Sequence, residues 1–103
     1  IARYLHGWKL RIEQVGTLNF PNEARRRSLS GNPVLEVAIA ADGQLDQVIV
    51  RRSSGHPELD QAAVGIVRLA EPFTPLPDTG DQTDILHITR TWQFKPGGTL
   101  GTQ

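Results

Sequence analysis

The sequence predicts a two-layer α+β domain, and three observations predict it. Two segments of alternating apolar and polar residues flank an Asp42-Gly43 turn. A helical stripe runs from Pro57 to Ala70. A third alternating segment, Asp84 to Lys95, follows that helix. Side chains alternate faces along a strand but return to one face of a helix every three to four residues. Two further helical stretches precede the hairpin, so the element order reads ααββαβ.

The first helix rests on Ile1, Leu5, Trp8, Ile12 and Val15, with Tyr4 widening the stripe. The spacing predicts a helix over Ala2–Val15. Gly7 weakens it by about 1 kcal/mol relative to alanine, and Gly16 suits its end. Thr17–Phe20 reads as an extended link, because the residue before a proline is pushed away from helical angles. Pro21 suits the first turn of a short second helix, Pro21–Leu29. Glu23 lies near its positive end and Arg25, Arg26 and Arg27 near its negative end; Gly31 stops it.

Pro33–Ala40 carries Leu35, Val37 and Ile39 on one face and a nearly apolar second face broken by Glu36, which predicts a central strand. Asp42-Gly43 is a hairpin signal, and Gln44–Arg52 is the partner strand. Ser53-Ser54-Gly55 ends it. In the following helix Leu59, Ala62, Ala63, Ile66, Val67 and Ala70 form one face, and Glu58 and Asp60 lie in its first turn. Glu71–Thr83 holds Pro72, Pro75, Pro77 and Gly80, so it is irregular, and it is long for a connection in a small domain. In the last strand Leu86, Ile88, Trp92 and Phe94 share a face. Arg90 interrupts that face, either by reaching to water at a sheet end or by marking a bulge.

The hairpin makes the first two strands antiparallel. The crossover helix returns the third strand parallel to the second and antiparallel to the first. The expected sheet is therefore three-stranded and antiparallel about its centre, order 2-1-3, with helices packed on one face. Residues 1–96 read as a single domain, 1–18 as an N-terminal helical extension and 97–103 as a flexible tail.

The composition narrows the function. A 103-residue chain with 38% hydrophobic and 21% charged residues has the balance of one globular domain. Eleven basic and eleven acidic residues cancel, which argues against a nucleic-acid partner. Without cysteine there is no disulfide, thiolate metal site or cysteine nucleophile. Without methionine, Ile1 reads as the start of an excised piece, with any signal or membrane anchor expected upstream.

Ser53, Ser54, His56 and Asp60 include the residue types of a hydrolytic triad, but their crowding at a helix start fits local capping better. His6, His56 and His87 lack metal-site spacing. Arg25–Arg27 reads as a solvated helix end rather than an anionic docking patch. Trp8 and Trp92 read as core, although an exposed Trp8 would point to an interface. The expectation is a protein that is not an enzyme and holds no cofactor or metal.

The topology leaves the last strand at a sheet edge. Between Asp84 and Gln93 no lysine or proline guards it. Such an edge invites an extended peptide to add as a further strand, unless the upstream helix covers it.

The residues also resemble a known family. Asn19-Phe20-Pro21 with Glu23-Ala24-Arg25 is similar to the "YP-x-x-A-R" opening of the TonB C-terminal domain, and Leu29 and Gly31 match the next positions. Ala41-Asp42-Gly43 with Leu45, Val48 and Val50 resembles its hairpin. Ser53-Ser54-Gly55 with Leu59-Asp60 and Ala62-Ala63 resembles its "SSG…LD-x-A-A" stretch. The usual "W-x-F/Y-x-P" is missing, and Pro72-Phe73-Thr74-Pro75 stands where a counterpart would be.

The resemblance implies the periplasmic domain of an inner-membrane-anchored energy transducer. Such proteins couple a proton-driven ExbB–ExbD-type motor, engaged through their N-terminal part, to outer-membrane transporters of iron chelates and similar cargo. The transporter's TonB box would add beside the last strand, implicating Ile85, Leu86, His87, Ile88, Thr89, Arg90 and Thr91. Thr17, Leu18 and Asn19 would contribute from the segment before the "YP" position, although its usual glutamine-rich sequence is absent. A homodimer of the fragment through the same edge is a further expectation. The alternative function is a structural, TolA-like envelope adaptor serving a secretion or surface-motility machine.

Overall fold

The structure, a computed structural model, describes residues 2–77 and 85–103. Ile1, the far part of the Pro/Gly-rich connection and Asp84 as the first residue of the last strand lie outside the described residues. The elements are α1 (Ala2–Leu18), α2 (Asn22–Arg26), β1 (Val34–Ala40), β2 (Leu45–Arg52), α3 (Pro57–Ala70), β3 (Ile85–Phe94) and β4 (Leu100–Thr102).

The α+β class and the antiparallel pairing are as expected, but the sheet has four strands, in the order β2-β1-β3-β4. The residues expected to fray after Pro96 fold back on β3. Gly98, at φ +91°, closes the turn, and Gly98 N–H donates to the Lys95 carbonyl at 3.0 Å. Trp92, Gln93 and Phe94 then pair with Thr102, Gly101 and Leu100. A three-residue strand with glycine at its centre has almost no alternation to read; tertiary contacts hold it. Leu100 is buried beside Gly16 of α1, and Thr102 N–H donates to Glu13 Oε2 at 2.8 Å.

Gly16 explains a second difference. It does not end α1, which runs on to Leu18. A β-carbon at Gly16 would collide with the Leu100 side chain, so this glycine permits close packing rather than a cap. The second helix is shorter than expected, because Ser28 takes a left-handed φ of 52° and stops it after Arg26.

The helices lie on one face of the sheet. Trp8 and Ile12 of α1 and Leu59, Ala63, Ile66 and Val67 of α3 are buried against Leu35, Val37 and Ile39 of β1 and Ile88, Trp92 and Phe94 of β3. The alanines of α3 bring that helix close to the strands. The Phe20-Pro21 motif also acquires a packing role. Phe20 meets Phe94 edge-on at 5.6 Å, Ala24 is fully buried, and the Arg25 guanidinium lies over the Phe20 ring at 5.8 Å.

The start of the Pro-rich connection is docked. Phe73 N–H donates to the Gly43 carbonyl and Leu76 N–H to that of Ala41, both at 2.9 Å, which lays the segment across the β1–β2 turn. Gly43, at φ +92°, has no room for a side chain because the Phe73 carbonyl sits against it. Phe73 itself is buried in the core.

Candidate partner-binding edge

The backbone direction along β3 decides what its edge offers. Thr91 and Gln103 exchange two backbone hydrogen bonds, at 2.9 and 3.2 Å, so the polar backbone groups of Thr91 point away from β1. Trp92 N–H points the other way, donating to the Pro33 carbonyl at 2.8 Å. Pairing between β1 and β3 runs without a register shift from Ile85 to Thr91. By strand alternation, Ile85, His87 and Thr89 also turn their N–H and C=O groups outward. Leu86, Ile88 and Arg90 spend theirs on β1.

β4 divides this edge in two. It covers β3 from Thr91 to Phe94. Among the described residues nothing pairs with the outer side of Ile85, His87 and Thr89. The open stretch, Ile85–Thr89, is five residues or about 17 Å long, the length of an ordinary strand.

The expected site residues fall into three groups. The outward backbone groups of Ile85, His87 and Thr89 have no partner among the described residues. Leu86, Ile88 and Arg90 belong to the edge through their chain positions but face β1, and Ile88 is a core residue. Thr91 is already paired with Gln103. The unbroken β1–β3 register leaves Arg90 without a bulge. Arg90 is half-buried on the helix side, opposite Leu35, in a groove between α1 and the β3–β4 pair that His6, Lys9 and Glu13 also line.

Thr17, Leu18 and Asn19 do not join this edge. They end α1 near the opposite end of β3, where Thr17 Oγ1 accepts the Leu100 N–H at 3.3 Å. Leu18 is 77% exposed, and Asn19 Nδ2 donates to the Val15 carbonyl at 2.8 Å. β4 stands between the two groups.

The solvent face beside the open edge carries one charge cluster. Glu36 of β1 accepts from Arg51 Nη2 at 2.9 Å and sits 3.3 Å from His87 Nδ1. The Arg51 hydrogen bond is the main reason the Glu36 carboxyl lies below its ordinary pKa, against a smaller opposing effect of burial. The cluster ties β2, β1 and β3 together across the face away from the helices.

The Ser53–Asp60 group does not cap α3 as expected: the N-cap is His56, which makes no side-chain cap bond, and the group instead ties the β2–α3 turn to the start of the helix. Ser53 Oγ donates to one Asp60 oxygen, Ser54 N–H donates to the other at 2.8 Å, and Ser54 Oγ donates to the His56 carbonyl at 3.0 Å. The His56 contacts are through its backbone rather than its ring. Among the described residues no group of three or more His, Cys, Asp or Glu is placed to hold a metal ion.

No curated protein and no solved structure matches the chain. One family model does, that of the Gram-negative bacterial TonB protein C-terminal domain, over residues 17–96. Those limits take in the Phe20-Pro21 motif, the sheet through β3 and the open edge. The chain belongs to the TonB C-terminal family, periplasmic protein-interaction domains of Gram-negative energy transduction.

Proposed function

We propose that this domain captures the TonB box of an outer-membrane transporter by strand addition along Ile85–Thr89. It would thereby couple inner-membrane proton motive force to uptake, through an ExbB–ExbD-type motor engaged by a part of the protein beyond this chain. The observation that carries this reading is the open half of β3. Three outward-facing residues lie on a strand without lysine or proline, beside a half closed by the chain's own β4. Backbone pairing supplies affinity that depends little on the partner's sequence, and the alternating side chains tune the choice.

Thr17, Leu18 and Asn19 enter only if the partner continues past the added strand and around β4. The same edge is open to a second copy of the chain, so dimerisation competes with peptide capture. The domain works by binding; the serine–aspartate group that most resembles a catalytic set is spent on bonds that fix the β2–α3 turn.

The test is a titration of the ¹⁵N-labelled chain with a synthetic TonB-box peptide. Amide shifts are expected at Ile85, His87 and Thr89. Shifts clustered elsewhere, or no binding by any cognate peptide, sink the edge assignment. Recovery of no β-barrel transporter from envelope extracts would favour the structural-adaptor alternative.

A further inference from the structure

A second concave site lies along another face of α1 and shares no lining residue with β3. It is a cavity of about 620 Å³ between the N-terminal half of α1 and the docked Pro-rich segment. Tyr4, Trp8, Phe73 and Pro75 form apolar walls, and Arg3 and Arg11 stand at the rim. Its size is that of a ligand pocket.

Three features make it more than a crevice. Trp8 is 4% exposed, and its buried indole N–H has no acceptor among the described residues. Such an orphaned donor is uncommon in native structures and calls for an explanation. The Trp92 indole N–H is also unpartnered, but Trp92 does not border this cavity. Next, Gly7 lies on α1 between the two arginines, and a β-carbon built there meets nothing within 4 Å. A residue that weakens the helix thus leaves a trough where any side chain would fill it. Finally, among the described residues neither Arg3 nor Arg11 is in an ion pair. Arg11 is anchored at the rim by long contacts of 3.3 and 3.4 Å to the Ala70 carbonyl. The wall is also braced, because Tyr4 Oη donates to the Thr74 carbonyl at 2.8 Å.

The spacing of the two charges selects a partner. Arg3, Gly7 and Arg11 follow one another along one line of α1. Eight residues of helix separate the arginines by about 12 Å. In an extended peptide, positions four apart lie about 13 Å apart and share a face with the position midway between them. We propose that this trough binds an extended segment of a partner protein carrying acidic–x–apolar–x–acidic. The two carboxylates would meet Arg3 and Arg11, and the apolar side chain would enter over Gly7 between Tyr4, Trp8 and Phe73. A guanidinium holds a carboxylate well at such a rim because its fork matches both oxygens. The site shares no lining residue with the β3 edge, so the domain would have two surfaces for two partner segments.

The experiment titrates the ¹⁵N-labelled 103-residue chain with Ac-Ala-Glu-Ala-Phe-Ala-Glu-Ala-NH₂ and with its Gln-for-Glu counterpart. Saturable shifts are expected at the Gly7 amide and the Trp8 indole N–H, with the Trp92 indole unmoved. The Gln peptide should bind at least tenfold more weakly. Gly7→Leu, which fills the trough, and the exposed pair Arg3→Glu with Arg11→Glu should each weaken binding at least tenfold while circular dichroism stays unchanged. No saturable shift at millimolar peptide, equal affinity for the Gln peptide, or shifts confined to Ile85–Thr89 would each overturn the proposal.

Discussion

The two halves of β3 differ in one respect that sets their roles. From Thr91 to Phe94 the outer edge is closed by β4, and Trp92 and Phe94 are core residues. From Ile85 to Thr89 the outer edge has no partner among the described residues, and Ile85 and His87 are exposed. One strand therefore anchors the fold at its C-terminal end and offers backbone at its N-terminal end. A short strand of the same chain is enough to guard half an edge, and the stretch left unguarded becomes the candidate site.

Four substitutions break or sharpen this contrast, and a fifth is its control. The largest expected effect is in the anchored half. Trp92→Ala should cost about 3–5 kcal/mol of stability in urea unfolding, because a fully buried ring is replaced by a cavity. Leu100→Ala, which loosens β4 from α1, should cost about 2–5 kcal/mol. It should also speed hydrogen exchange at Thr91 and Gln93, whose outward groups β4 covers. If exchange there stays slow, β4 is not what closes the edge.

The next pair separates binding from folding within one strand. Thr89 and Thr91 both turn their backbone groups outward, but among the described residues only the Thr91 N–H has a partner, Gln103. Proline removes that donor. Thr89→Pro should lower TonB-box peptide affinity about tenfold, close to the net value of one hydrogen bond, while the domain stays folded. Thr91→Pro should instead lower stability by about 1 kcal/mol. Equal effects of the two on binding would erase the distinction between the halves.

The smallest effect serves as a control away from β3. Burial pushes the Asp60 carboxyl up, but hydrogen bonds from Ser53 and Ser54 outweigh it and hold the pKa below its ordinary value. A depressed folded value means that the group's stabilising contribution is complete above about pH 4 and is lost as the pH falls through the lower folded value. Asp60→Asn should flatten this acid limb of stability, measured as urea midpoints over a pH series, and leave peptide affinity at neutral pH unchanged.

Much of this architecture is legible in the residues, and particular cases show why the rest is not. The α3 stripe and the Asp42-Gly43 hairpin carry strong periodic and turn signals, and both stand where those signals put them. β4 carries neither signal, since Leu100-Gly101-Thr102 is too short to alternate and its glycines read as a loose end. Gly16 looks like a helix stop, and only the neighbouring Leu100 shows that it is a packing contact. Arg90 reads ambiguously because a polar residue on an apolar face can mean a bulge or a groove, and the register that decides between them belongs to the strand pair. The placement of Thr17–Asn19 beyond β4 follows from the same cause, as does the Tyr4–Trp8–Phe73 cavity, which joins residues some seventy positions apart.

The sequence by itself determined the class of fold, the order of its first three strands, the family and the strand that bears the candidate edge. Periodicity and turn chemistry are local, so they survive without knowledge of neighbours. Only the tertiary structure decided how much of that edge is open. The answer depends on a three-residue strand held by contacts with α1, whose energy lies in packing rather than in any preference of Leu100, Gly101 or Thr102 themselves.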